Sequence, residues 1–267
     1  VGSEMCIRDR YNLTIDPKAS KLLKAKTALE EALKHQELEL YYQPQIKIRT
    51  GEISGVEALI RWNHPELGQI KPQKFIPVAE QTDSIISIGE WVLRQACLQN
   101  RTWQDMGLPN LIMSVNLSPL QLKDTNFINL VESILGETKL APQWLELEIT
   151  EKAILANTEI AHQVLQNLRQ LGIHLSMDDF GTGYSCLNHL PKFPFGTLKI
   201  AQSCVQEITE KPENIAIISA AIALGNSLDL RVIAEGVETN KQLKLLENLD
   251  CREAQGYLLT QIPHFKK

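Results

Sequence analysis

Eight short strand-like runs alternate with helix-like runs along this chain, and that alternation limits the folds open to it more than any other feature. The runs are "LELYYQPQI", "ISGVEALIRW", "LIMSVNLS", "WLELEIT", "IHLSMDD", "GTLKI", "RVIAEG" and "EAQGYLL". Between them, apolar residues at helical spacing predict helices over residues 85–106, 127–135, 160–171, 214–228 and 239–249. Gly107, Gly136 and Gly172 stand where helix C-caps are expected. Strands that alternate with helices in this way favour an α/β barrel over an open doubly wound sheet. No GxGxxG follows the first strand, which argues against a dinucleotide-binding fold. The 267 residues suit one barrel, a fold that runs to about 250 residues, and can bury a self-supporting core.

Composition removes other classes. The longest mostly apolar stretch, from Ile215 to Leu224, is far short of the ~20 residues a membrane helix needs. The expected compartment is the cytoplasm, although a longer chain could be anchored through another domain. A net charge of −5 argues against a duplex-DNA binder, which usually carries a basic stripe. It does not argue against a small anionic substrate, because bound cations can reverse the local sign. Cys6, Cys97, Cys186, Cys204 and Cys251 form no CxxC pair and read as reduced thiols. The opening "VGSEMCIRDR" has neither a helical nor a strand period and no signal-peptide core. It reads as the in-frame translation of a transposase-type sequencing-library adapter, so residues 1–10 are expected to be foreign. Residues 11–34 are expected to form a linker helix, with Asp16 as N-cap and Pro17 at its first position.

Strand parity locates the chemistry. In "VEALIR", Glu57, Leu59 and Arg61 share one face and Val56, Ala58 and Ile60 the other. Asn116 shares a face with Ser114 and Ser118, Glu148 with Glu146, and Asp178 with Ser176. Lys199 faces away from Leu198 and Ile200, and Glu235 ends its run. In a barrel these C-terminal strand ends converge on one mouth, where active sites sit. The mouth would hold Glu57, Asn116, Glu148, Asp178, Asp179, Lys199 and Glu235, a set of hard oxygen donors with one cation. Such donors suit Mg²⁺ or Mn²⁺ rather than zinc, and the adjacent aspartates suit two ions ~3.5–4 Å apart. Taken singly, a strand-end carboxylate is more often a helix cap or a solvated loop residue, and a lone lysine more often lies along the surface. Arg61 beside Trp62 could be a cation–π pair. His64, His174 and His189 read as structural. Recurrence of polar residues on strand after strand is what favours a site.

With those residues in view, the sequence resembles the EAL domain family, bacterial phosphodiesterases acting on cyclic di-GMP. The naming motif is Glu57-Ala58-Leu59 within "GVEALIRWNHPELGQIKP". "FIPVAEQT", "WVLRQAC", "SVNLSPLQL", "LELEITE", "MDDFGTGYS", "LKI", "VIAEGVET" and "QGYL" follow in family order and spacing. The resemblance spans roughly Leu38 to Leu259 and implies a domain over residues 35–267. It implies a modified TIM barrel whose first strand is antiparallel to the rest. It also implies ligation of two Mg²⁺ or Mn²⁺ ions by Glu57, Asn116, Glu148, Asp178 and Asp179, with Asp178 bridging. Glu235 would hold the second ion or its water, and Lys199 the attacking water. Arg61, Gln43, Leu59 and Gln255 would meet the substrate, and Glu151 would pin the loop "DFGTGYS" that couples the site to dimer contacts. The product would be linear pGpG, the assembly a homodimer, and the upstream partner a GGDEF or sensor domain.

Three departures stand out. Ala201 replaces an expected Asp after Lys199, Gly196 replaces another, and "TQIP" ends the domain where Arg-Pro is usual. Ala201 shares strand parity with Lys199, so the missing carboxylate is expected to have faced the site. That supports a rival reading, a weak or inactive EAL domain that serves as a cyclic di-GMP receptor. A metal-dependent barrel lyase of enolase-like type would explain the carboxylates and lysine, but not the order of the motifs.

Overall fold

The structure, a computed structural model, describes residues 17–155, 158–182 and 190–259. The expected foreign segment, Cys6, Cys186, His189 and the "TQIP" end lie outside the described residues. The chain enters through helix α1 (Pro17–Lys34), whose Leu29 and Ala32 are buried in the core rather than standing off it. Strands β1 (Leu38–Lys47) and β2 (Ile53–His64) form an antiparallel hairpin with Gln43 opposite Glu57. A short β3 (Gly68–Ile70) folds back on the end of β2. Helices α2 (Pro72–Gln81) and α3 (Ser84–Asp105) lead to β4 (Ile112–Asn116), and α4 (Phe127–Thr138) leads to β5 (Leu145–Thr150). Then come α5 (Glu151–Leu155), α6 (Thr158–Gln170), β6 (His174–Phe180), β7 (Thr197–Ile200) and α7 (Gln202–Gln206). Helix α8 (Pro212–Ser227), β8 (Arg231–Ala234), α9 (Asn240–Asn248) and β9 (Glu253–Ala254) complete the series.

The sheet closes on itself. Its order is β1-β9-β8-β7-β6-β5-β4-β2, with β1 and β2 paired to shut the ring and β3 added outside it. The pairings from β2 through β4 to β9 are parallel, while β1 runs antiparallel to both β2 and β9. This is an eight-stranded α/β barrel with a reversed first strand, as the sequence led us to expect.

Period two sorts the strands into two environments. Leu145, Leu147 and Ile149, Leu175 and Met177, and Leu198 and Ile200 are fully buried in the apolar layer between strands and helices. Each such side chain contributes roughly 1.5–3 kcal/mol when withdrawn from water. The alternate positions fill the bore. Gly107 and Gly172 take the left-handed conformation expected of C-caps, at φ +82° and +90°. Gly136 does not: α4 runs past it to Thr138, and Lys139 at φ +58° ends the helix instead. A glycine inside a helix costs only about 1 kcal/mol relative to Ala, which the buried face of α4 offsets. Cys97, Cys204 and Cys251 are buried free thiols. Among the described residues, no helix is long and apolar enough to cross a membrane.

Candidate active site

The bore is polar where the strands end. Lys199 on β7 is fully buried, and its Nζ donates to Glu57 Oε2 at 3.1 Å and to Glu148 Oε2 at 2.7 Å. It also lies 2.6 Å from Glu235 Oε1, just past β8. Glu57 on β2 accepts further bonds from Asn116 Nδ2 at 2.8 Å and Gln255 Nε2 at 2.5 Å. Gln255 also donates to Gln43 Oε1 at 3.0 Å, so β1, β2 and the segment after β9 are tied together across the seam of the ring. Asp178 is buried on β6, its Oδ1 taking the backbone N–H of Asp179 at 2.7 Å.

Four carboxylates, Glu57, Glu148, Asp178 and Glu235, therefore surround one ammonium. Burial pushes Glu57 up, but the Lys199 charge and donors from Gln255 and Asn116 hold its carboxyl below the ordinary value. Burial and the neighbouring Glu57 charge push Glu148 well above it. Burial raises Asp178 to about 6 and Glu235 to about 8, against the pull of Lys199. Burial also works against the lysine's charge, yet Glu148, Glu235 and Glu57 keep it protonated well beyond its usual range. Groups this close titrate as a set, with negative charge in surplus.

That surplus bears on metal binding. Among the described residues no three Asp, Glu, His or Cys side chains converge at metal-ligand spacing; the Lys199 ammonium holds the carboxylates instead. The donor set nevertheless fits hard cations. It consists of carboxylate and amide oxygens, and Glu148 Oε1 and Gln255 Oε1 are buried with no hydrogen-bond partner.

Asp179 sits in the left-handed region at φ +58°, where the β6–β7 register shifts between Met177 and Phe180, and it is exposed. Strand parity alone would have turned it to the helix side. Arg61 and Leu59 are half-buried further along β2. The Arg61 guanidinium stacks 5.4 Å from the Tyr41 ring centroid rather than on Trp62, and donates to Ile60 O at 2.8 Å. Glu151 is buried at the first position of α5; residues 183–185 of the loop it was expected to pin lie outside the described residues. Ala201 is buried and serves as the N-cap of α7, with no side-chain cap bond. A carboxylate there has a second use, capping the helix, that strand parity could not show. His64 is structural, its Nδ1 accepting from the backbone of Glu66 and Leu67.

A second polar layer went unnoticed as a unit. Beneath the cluster lie Gln45, Ser114, Glu146, Ser176 and Thr197, all buried. The parity that pairs Glu146 with Glu148 and Ser114 with Asn116 was the available signal.

A closed α/β barrel with a reversed first strand and a carboxylate cluster around a buried lysine is a narrow structural class. The chain belongs to the EAL domain family, which matches residues 26–261. It is 40% identical over 249 residues to the bifunctional diguanylate cyclase/cyclic di-GMP phosphodiesterase MucR of Pseudomonas aeruginosa, covering 93% of this chain and 36% of that protein. It is 38% identical over 244 residues to the cyclic di-GMP phosphodiesterase NbdA of the same organism, covering 91% of this chain and 31% of NbdA. The solved PaMucR phosphodiesterase in complex with c-di-GMP superposes with a TM-score of 0.87 at 41% identity, over 91% of this chain and 98% of that one. The chain thus spans about a third of the length of these curated relatives.

Proposed function

We propose that this chain is a phosphodiesterase that hydrolyses cyclic di-GMP to linear pGpG with two divalent ions, Mg²⁺ or Mn²⁺. The observation that carries the reading is the buried Lys199 among Glu57, Glu148 and Glu235 at the C-terminal mouth of the barrel. Glu57, Asn116, Glu148, Asp178 and Asp179 would hold the ions, with Glu235 beside the second. When bound, such ions supply Lewis acidity to the phosphodiester and lower the pKa of water. The protein's own part is charge and position. Lys199 presents a fixed ammonium where negative charge builds on the phosphoryl oxygens. Glu235 and Glu148 hold that ammonium in place. Arg61 offers a guanidinium fork to the substrate phosphate at the rim, and Gln43, Leu59 and Gln255 line the way in. Glu151 would steady the loop after β6 and link it to a dimer contact, and a GGDEF or sensor domain would precede α1.

The relatives' names and the neighbour's bound c-di-GMP support this substrate. Ala201 favours the rival, a receptor that binds without hydrolysis. Incubation with cyclic di-GMP and Mg²⁺, followed by chromatography, separates them. Formation of pGpG that stops in chelator supports the enzyme. Tight binding by calorimetry with no product supports the receptor, and the absence of both product and binding rules out cyclic di-GMP as the ligand.

A further inference from the structure

The layer beneath the cluster departs from what usually fills a barrel. Bores of this kind are commonly packed with bulky branched side chains. Here Ser114, Glu146, Ser176 and Thr197 stand two residues before Asn116, Glu148, Asp178 and Lys199, each on the same strand face as the residue above it. Gln45 stands two residues after Gln43 on the reversed β1, and its Nε2 donates to Ser114 Oγ at 3.3 Å.

Glu146 is the hub. It is fully buried on β5 and accepts from Ser114 Oγ on β4 at 2.9 Å and from Thr197 Oγ1 on β7 at 2.6 Å. Arg231 Nη1 on β8 lies 3.7 Å from its Oε2. Backbone ladders join only neighbouring strands: β5 to β4 and to β6. The Thr197 bond to Glu146 instead reaches over β6 to β7, and the same carboxylate faces the Arg231 guanidinium on β8 across 3.7 Å. These contacts brace the ring from inside, directly below Asn116, Glu148 and Lys199. Arg231 donates in turn to Glu253 at 2.7 Å, and Ser54 Oγ donates to Glu253 at 2.5 Å, which carries the contacts on to β9 and β2. Stability alone does not call for such a group. A buried ion pair can often be replaced by apolar residues of similar volume at little cost in stability.

We infer that Glu146 is a positioning residue: its bonds to Ser114 and Thr197, with the Arg231 charge beside it, set the separation of Glu148 from Lys199 across the bore. The inference rests on the phosphodiesterase reading for its kinetic test but not for its binding test. Glu146→Leu keeps the volume and removes the brace; Thr197→Val removes one bond at constant shape. Each is measured for melting temperature, for kcat and KM on cyclic di-GMP, and for Mn²⁺ affinity by calorimetry.

Glu146→Leu leaves Arg231 and two hydroxyls without their carboxylate, so its melting temperature should fall. Assayed well below that melt, it should show a kcat lower by about 10–100-fold, an unchanged KM and a weaker Mn²⁺ affinity, the range typical when a ligand's supporting partner is lost. Thr197→Val should have a smaller effect that disappears in the Glu146→Leu background, because the two act through one bond. Glu146→Gln, which keeps an acceptor for both hydroxyls, should recover part of the loss. The inference is overturned if Glu146→Leu keeps the parent's kcat and Mn²⁺ affinity. It is overturned equally if the losses vanish when each variant is assayed well below its own melting temperature, or if Thr197→Val has the same effect with and without Glu146. If the parent does not hydrolyse cyclic di-GMP, the phosphodiesterase reading fails alone, and the Mn²⁺ titration still decides for or against the brace.

Discussion

Consider the protein in chelator, taken through a pH series. Glu235 is raised by burial to about 8, whereas the unfolded chain gives up that proton near the ordinary 4.5. Over most of the interval the folded state holds one more proton at this residue than the unfolded state does. Stability from a carboxyl raised in this way is complete below the unfolded value and is lost as pH rises through the folded one. The slope for one proton is about 1.4 kcal/mol per pH unit, so the fold should lose about 3 kcal/mol between about pH 5.5 and 7.5. For a chain of this size, that corresponds to a fall in melting temperature of about 6–12 °C.

Asp178, raised to about 6, adds to the fall at the acid end. Half-buried His174, lowered by burial below 6.5, opposes it there, because its proton is the one the folded state loses first. Glu235→Gln isolates the effect: its profile should be shallower than the parent's by about one proton, with Glu148 and Asp178 supplying the slope that remains, and the difference between parent and variant should widen towards pH 5.5. Saturating Mg²⁺ should flatten the parent's profile as well, since a cation replaces the retained proton. The assay is a thermal melt by circular dichroism at half-unit pH steps. A parent melting temperature that holds or rises from pH 5.5 to 7.5, or the same slope in Glu235→Gln, would refute the electrostatic account of the cluster.

Lys199→Ala should lower turnover by about 10²–10³-fold while cyclic di-GMP affinity, titrated in Ca²⁺, stays within a few-fold of the parent's. Arg61→Ala should instead weaken that affinity about tenfold, the loss of one charge-assisted contact at 1.4 kcal/mol. Ala201→Asp should raise the melting temperature by about 2–4 °C, because an N-cap carboxylate contributes ~1 kcal/mol to α7. A rise in turnover at limiting metal would show that it also serves the site. Gly256→Ala should lower both melting temperature and affinity: an added Cβ would lie 2.2 Å from Val237 O and 2.3 Å from Val237 N, both backbone atoms, and would push Gln255 from Glu57. An unshifted melt would show that the neighbouring turn yields freely.

The barrel was legible because its signal repeats. Alternation along β5 puts Leu145, Leu147 and Ile149 on one side and Glu146 and Glu148 on the other, and the structure keeps that division. Strand parity likewise brought Glu57, Asn116, Glu148 and Lys199 to one place. It failed where the backbone leaves the pleat. At Asp179 the backbone turns to a positive φ and the β6 register shifts, so parity does not fix where that carboxylate points. Helix α2 was missed because Pro72 and Pro77 punctuate a stretch that reads as a loop, although Pro72 opens a helix and Pro77 lies within it. The short α5 and α7 carry too few residues to show a period. Each partner of Glu146 lies far off in the chain, and only the closed ring makes them neighbours.

That closure also sets a clock. Glu57 and its donor Gln255 are separated by 198 residues. A ribosome working at about 5–20 residues per second needs roughly 10–40 s to synthesise that interval. Until β9 emerges, β1 and β8 each present a bare edge, and Glu57 waits without its shortest bond. The protein's youth, between the first hairpin and the last strand, is thus its period of greatest exposure to aggregation and to chaperones. A chain cut short before Glu253 would lack the strand that shuts the ring.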